Sequence, residues 1–397
     1  MRTGSSSLAA GAAAPGLRSQ VLTLGRARAL ESATQLVLPM VLVRLLPVEE
    51  YGQYRLFWLA TATLTLVMPL GMPRSLLYFL PRLPREERAT YVGQTLLVLA
   101  ATGLAAALLL SPANPWRPAA VAALPWPWLA GFAGLSVLTT TLDYLPNADG
   151  DLAGQAWSLV GLAALRAGIV TAAALAGGLP LVFAGLAAYA LARCGLLLVY
   201  VARRHGWPEL ARVRRHLRPH LSHAIPFGLN ASLFQLRRQA ELWLVALMFP
   251  ANAFAIFTVG VTQLPVVDVA RQVLADVTLP RMSALQAQGR HAQLLAVNQR
   301  ANLAAAVLIF PVVAFLFAFA REALAVAFTP AYLEAAPVLR ISLLAVARMA
   351  VDASGILMAF SQRRFVLGTG AVLLAVSVAT SGLGAWWLGP VGAALGS

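Results

Sequence analysis

Residues Val43–Leu83 read VRLLPVEEYGQYRLFWLATATLTLVMPLGMPRSLLYFLPRL. The stretch opens on the end of one apolar segment and crosses a short Pro-Val-Glu-Glu-Tyr-Gly turn. It continues into a second apolar segment of about 20 residues that closes on a cluster of arginines. A bilayer core holds no water to satisfy loose N–H and C=O groups, so segments of this length cross it as helices. Two of them joined by a tight turn form a transmembrane hairpin, and the rest of the chain reads as further hairpins stacked on this one.

Composition supports that reading. Of 397 residues, 59% are hydrophobic and 11% charged, and the mean hydropathy is +0.74. A water-soluble fold needs more polar surface than this, and the alternation of an outer-membrane barrel is absent. The chain is therefore expected to be an all-α integral membrane protein. Eleven spans are predicted, at 22–46, 53–78, 88–110, 121–146, 154–176, 180–202, 223–249, 252–280, 299–320, 333–360 and 365–388. Residues 1–21 read as a disordered tail without a signal-peptide layout. Residues 22–202 form a six-helix N-terminal lobe, 203–222 a basic linker, and 223–397 a C-terminal lobe. The end from Pro390 resembles the opening of a twelfth helix, so the second bundle is expected to be incomplete.

All 30 basic residues are arginine. Codon usage in a GC-rich genome accounts for that choice, and its physical consequence is the same whatever the origin. Arginine stays charged and offers a planar fork of donors suited to phosphate, and a chain without lysine has no Walker A loop. Nineteen arginines fall on one side of the predicted topology and four on the other (Arg44, Arg55, Arg117 and Arg321), which puts the N-terminus in the cytoplasm. The two halves echo each other. Tyr51 and Tyr54 precede a span ending Leu80-Pro81-Arg82, and Phe254 and Phe257 precede one ending Leu279-Pro280-Arg281. Both copies run in one direction, as expected of repeats related by a pseudo-two-fold along the membrane normal.

Charges inside spans are costly and mark interiors or wet cavities. Arg28 with Glu31, Arg237 with Glu241, Asp268 with Arg271 and Arg348 with Asp352 are three or four residues apart, so each pair shares a helix face. Such pairs neutralise themselves and dock helices, or couple ions. Arg166, Arg193 and Arg238 have no acidic residue at that spacing. They either pair with another helix, Asp143 included, or line a cavity that attracts an anion such as pyrophosphate. The candidate anion ligands are Arg28, Arg166, Arg193, Arg237, Arg238 and Arg271. Glu31, Asp143, Glu241, Asp268 and Asp352 are candidates for ion coupling or pairing. Prolines at 39, 69, 73, 226, 265, 311 and 337 interrupt spans. The linker RRHGWPELARVRRHLRPHLSH patterns as an amphipathic surface helix. Asp149-Gly150-Asp151 echoes the acidic motif of metal-dependent glycosyltransferases but lies in a short turn, and no metal or nucleophile constellation is expected.

At the motif level, Val43-Arg44-Leu45-Leu46-Pro47-Val48-Glu49-Glu50-Tyr51-Gly52-Gln53-Tyr54 resembles the first hairpin of polysaccharide flippases. These are members of the multidrug/oligosaccharidyl-lipid/polysaccharide exporter superfamily. Pro47 stands where the family usually has glycine. Three later stretches, at 71–82, 221–229 and 328–340, are similar to the family at matching positions. The resemblance implies two six-helix lobes alternating access around a cavity. It implies a carrier, not an enzyme, in the bacterial cytoplasmic membrane, moving an undecaprenyl-pyrophosphate oligosaccharide to the outer leaflet. No cofactor is implied. The implied partners are the lipid-linked oligosaccharide, membrane lipids and the polymerase and chain-length machinery of polysaccharide biosynthesis, and not nucleic acid. A drug–cation antiporter of the same superfamily and a membrane polymerase are the competing readings.

Overall fold

The computed structural model describes residues 17–207, 217–261, 281–351 and 363–396, together with Val267, Arg271, Leu274, Thr278 and Ile356. The N-terminal half contains α1 (Leu17–Leu45), α2 (Val48–Val67), α3 (Met72–Phe79), α4 (Arg85–Leu109), α5 (Trp126–Thr139), α6 (Leu145–Ala148) and α7 (Leu152–Arg204). The C-terminal half contains α8 (Leu217–Met248), α9 (Ala251–Gly260), α10 (His291–Ala318), α11 (Ala320–Ala327), α12 (Ala336–Arg348) and α13 (Arg363–Leu395). Among the described residues there is no strand, and each of the eleven predicted spans contains helix, with breaks of several residues at 68–71, 122–125 and 349–351.

Among the described residues, five helical stretches are long and apolar enough to cross a bilayer. These are α4, α7, α10, Pro330–Arg348 and Gly368–Leu395; α2 with α3, bent by 43°, qualifies as a sixth. α7 supplies two limbs. Gly177 and Gly178 leave helical geometry, Gly178 at φ 67°, and a Cβ on Gly185 would touch Ile169 and Ala173, so the limbs run antiparallel. Asp151 starts the first limb by accepting a hydrogen bond from the Gly154 N–H at 2.8 Å. Glu50 caps the second from a distance, accepting from the Leu179 N–H at 3.3 Å. The C-terminus repeats the device. Gly389 sits at φ 66°, and the last turns fold back so that Gly392 meets Gly384.

The turn after α1 is tighter than the sequence suggests. Only Leu46 and Pro47 separate the helices, and the Glu-Glu-Tyr-Gly residues already belong to α2. Arg55 is thus a helical residue, not a loop one. α9 opens the same way from Pro250, both prolines holding extended backbone ahead of the first turn. The acidic pair Glu49 and Glu50 lies in the first turn of α2, where the helix dipole favours it.

The two echoing helices, α2 and α9, pack directly against each other. A Cβ on Gly52 would collide with the Ala251 carbonyl, and Tyr51 meets Tyr332 edge-on at 5.9 Å. Arg44 donates to the Met40 carbonyl of its own helix and, across the interface, to the carbonyls of Val326 at 2.6 Å and Ala327 at 3.1 Å, satisfying the C-terminus of α11. At the opposite end of α2, Pro69 marks the bend, Leu70 (φ 51°) and Gly71 (φ 76°) turn the chain, and Gly71 lies against Gly228 of α8. Leucine in that region costs about 1–2 kcal/mol, which the packing of Gly71 on α8 offsets.

Large apolar side chains cover the outer surface. Leu104, Leu108, Leu303 and Val307 are each more than 60% exposed, a pattern that lipid, not water, makes stable. Exposed tryptophans gather at the two ends, with Trp116, Trp126, Trp386 and Trp387 at the Pro47 end and Trp157 and Trp207 at the other. That is the aromatic belt of a membrane protein.

Candidate functional site

The helix registers set the site. On α1, Arg28, Glu31 and Ser32 share one face, as do Ser158, Leu162 and Arg166 on the first limb of α7 and Tyr189 and Arg193 on the second. The three faces converge, with Asp143 and Tyr144 from the α5–α6 connection, on a cavity of about 360 Å³ inside the N-terminal half. Five of the residues singled out from the sequence therefore meet in one place: Arg28, Glu31, Asp143, Arg166 and Arg193.

Arg193 donates to Asp143 through Nη2 at 2.6 Å. Of the alternatives open for Arg193, pairing across helices is the one realised. Arg166 places its guanidinium 4.9 Å from the centre of the Trp58 ring, a cation–π contact. The expected Arg28–Glu31 ion pair does not form within 4 Å among the described residues. Glu31 instead accepts from Gln35 at 3.3 Å, and both residues face the cavity. The Nε atoms of Arg166 and Arg193 are buried with no hydrogen-bond partner among the described residues. Buried donors rarely stay unsatisfied, which sets these two guanidinium groups apart from the rest of the described arginines around the cavity. Three guanidinium groups against two carboxylates leave it positive.

Asp143 and Tyr144 also line a second space, of about 350 Å³, between the two halves. It continues past Ala62, Gln235 and Gln239 into a third, of about 230 Å³, lined by Arg55, Trp58, Leu242 and Thr258. Across this cleft Trp243 Nε1 donates to Thr63 Oγ1 at 2.8 Å, Thr63 meets Gln239, and Ser232 donates to the Leu66 carbonyl at 2.9 Å.

The end of the cleft opposite Pro47 is pinned by His220, which is fully buried. Its Nε2 lies 2.7 Å from Ser75 Oγ and its Nδ1 2.9 Å from Gln94 Oε1, with Phe79 and Tyr91 around the ring. His220 precedes the membrane-spanning part of α8, and burial pushes its pKa down to about 4. A neutral imidazole, one ring nitrogen donating and the other accepting, satisfies both partners.

Other expected residues stand apart from the cavity. The side chains of Arg237 and Arg238, and residues Asp268 and Asp352, lie outside the described residues, as does most of the predicted amphipathic linker at 208–216. Glu241 and Arg271 are described, but neither lines the arginine cavity. Asp149 and Asp151 have structural work. Asp149 accepts from Tyr200 at 3.0 Å and pairs with His205 at 2.9 Å, both carboxylate and imidazole being buried, while Asp151 caps α7. Sequence reasoning missed Trp58, Arg55, Gln235 and Gln239. Nothing in their local pattern marks them, because each matters through what faces it from another helix.

Comparison with known proteins agrees with this architecture. A family model described as "Polysaccharide biosynthesis protein" matches residues 156–337, just under half of the chain. Among solved structures, the lipid II flippase MurJ in an inward closed conformation aligns over 96% of this chain and 84% of its own, at 10% identity and TM-score 0.68. An inward-facing multidrug resistance MATE family transporter of the MOP superfamily aligns over 92% of this chain and 90% of its own, at 13% identity and TM-score 0.65. A variant of the Vibrio cholerae MATE transporter VcmN covers 96% and 91%, at 13% identity and TM-score 0.57. No curated protein matches in sequence. The chain has the all-α fold shared by these transporters, as its resemblance to polysaccharide flippases implied, and it is a multi-pass membrane protein.

Proposed function

We propose that this chain, a membrane protein with the fold of MOP-superfamily transporters, flips a diphosphate-linked oligosaccharide lipid across the membrane without covalent chemistry. The observation that carries the reading is the convergence of Arg28, Arg166 and Arg193 on one cavity, with only Glu31 and Asp143 as acidic residues in its lining. A guanidinium fork matches a phosphate oxygen pair in geometry and charge, and a cavity with positive walls concentrates anions. The uneven arginine distribution favours an N-terminus in the cytoplasm of a bacterial inner membrane. The cargo is then an undecaprenyl-pyrophosphate oligosaccharide loaded from the cytoplasmic side. The halves touch at both ends of the cleft, at Gly52 and at Gly71, so delivery requires one contact to open while the other holds, which is alternating access.

Glu31 and Asp143 in the same cavity favour a second reading, a cation-coupled drug exporter. The two separate in one experiment. Purified protein in proteoliposomes is assayed for flipping of a fluorescent polyprenyl-diphosphate sugar lipid and for export of a cationic dye. Under the flippase reading Arg166→Gln lowers lipid flipping at least tenfold and the wild type moves no dye. Undiminished lipid flipping by the variant, at normal protein level, refutes the arginine cavity; dye transport by the wild type establishes the exporter instead.

A further inference from the structure

The arginine cavity and the cleft between the halves are separate chambers with a shared wall. Trp58 stacks on Arg166 from the cavity side and lines the cleft on the other. Asp143 and Tyr144 line both and form part of that shared wall. The chambers differ in chemistry. The cavity is charged. The cleft is lined mainly by amides, hydroxyls and an indole, from Gln235, Gln239, Thr65 and Trp58, with two guanidinium groups, Arg55 and Arg74.

The hydrogen-bond count at Gln239 sharpens the point. Thr63 has one hydroxyl proton, and the Gln239 carbonyl oxygen Oε1 takes it. Its oxygen accepts from Trp243 Nε1. That orientation turns the Gln239 amide NH2 away from Thr63, as a fixed donor on the cleft. Gln235 is exposed to the cleft with both amide atoms free among the described residues, and Arg55 has no hydrogen-bond partner among them. A surface of rigid acceptors and donors beside an indole suits a ligand rich in hydroxyl groups, each of which both donates and accepts.

We infer that the cleft is a sugar subsite, with Gln235, Gln239 and Arg55 as its specificity-determining residues, and that the cargo's head group is divided between the chambers. The diphosphate occupies the arginine cavity inside one half and the first sugar occupies the cleft between halves. This rests on the flippase reading of the cavity. It has a mechanical consequence. Movement of the halves remodels the sugar chamber, part of whose wall belongs to α8 and α9, while the diphosphate chamber travels intact within the N-terminal half.

The test uses the full-length protein in detergent and thermophoretic titration with four probes: decaprenyl diphosphate, and the same lipid carrying glucose, galactose or N-acetylglucosamine. The wild type is expected to bind at least one glycosylated probe about tenfold more tightly than the bare lipid. Gln239→Leu and, with no packing role to disturb, Gln235→Ala are each expected to weaken that probe about fivefold, the scale of one lost hydrogen bond, and to leave the bare lipid unchanged. Equal binding of all four probes by the wild type overturns the subsite, and so does an equal loss for bare and glycosylated lipid in the glutamine variants. Arg166→Gln separates the two readings. It should weaken every probe, and if it weakens none while the glutamine variants behave as stated, the sugar subsite stands and the diphosphate assignment falls.

Discussion

Gly52 is the point at which the α2–α9 contact is most sensitive to a single methyl group. The residue is buried in the first turns of α2, and a Cβ there would run into the Ala251 carbonyl, with its carbon 2.7 Å away. Neither neighbour is the end of a flexible side chain; both are backbone. Gly52→Ala adds about 1 kcal/mol of helix propensity and forces an overpacked contact worth about 1–3 kcal/mol. The natural control is Gly161→Ala, within the first limb of α7, where nothing lies within 4 Å of the added Cβ. That variant keeps the propensity gain without the clash. The two should therefore differ by about 1–3 kcal/mol, with Gly52→Ala the less stable. Thermal unfolding of both variants in the same detergent measures it. A midpoint for Gly52→Ala equal to or above that of Gly161→Ala would refute the close approach of α2 and α9.

Asp143 competes for Arg193 with any anionic ligand, holding it at 2.6 Å. Asp143→Asn is expected to tighten inorganic pyrophosphate binding by about tenfold, a charge-assisted bond being released, and calorimetric titration reads it; unchanged or weaker binding counts against the anion site. His220 is neutral in the fold because its pKa is lowered to about 4 from the usual 6.5. The unfolded chain therefore binds the extra proton between those values, so stability is complete above pH 6.5 and falls as pH drops toward 4, by up to about 3 kcal/mol. Replacing His220 by Gln should flatten that part of the stability profile, and an acid slope identical to the wild type's would remove the histidine from the explanation.

The membrane class, the helical hairpins and the echo of α2 in α9 were legible in the sequence because they depend on local properties. Apolar length decides whether a segment crosses a bilayer, and proline and glycine pairs decide where it turns, as at Pro47, Pro250 and Gly177-Gly178. Spacing also placed Arg28 and Glu31 on one face, and the lone arginines in the α7 limbs stood out because charge is expensive in lipid. Spacing could not say that the Arg28–Glu31 pair stays open, since two side chains on one helix face can each turn to a different neighbour, as Glu31 does to Gln35.

What the amino-acid sequence by itself determined, then, is that these helices form, how long they are and which of their faces carry charge. Only the tertiary structure decided that Arg193 pairs with Asp143, 50 residues away, that Arg28 and Arg166 join them, and that Trp58 of the opening hairpin stands between this cavity and the cleft between the halves. The physical reason is rotational. A helix can bury any face at similar cost to its own backbone, and the choice is made by the shapes it packs against: the Gly52–Ala251 contact orients α2 on α9, and that rotation turns Arg55 and Trp58 inward.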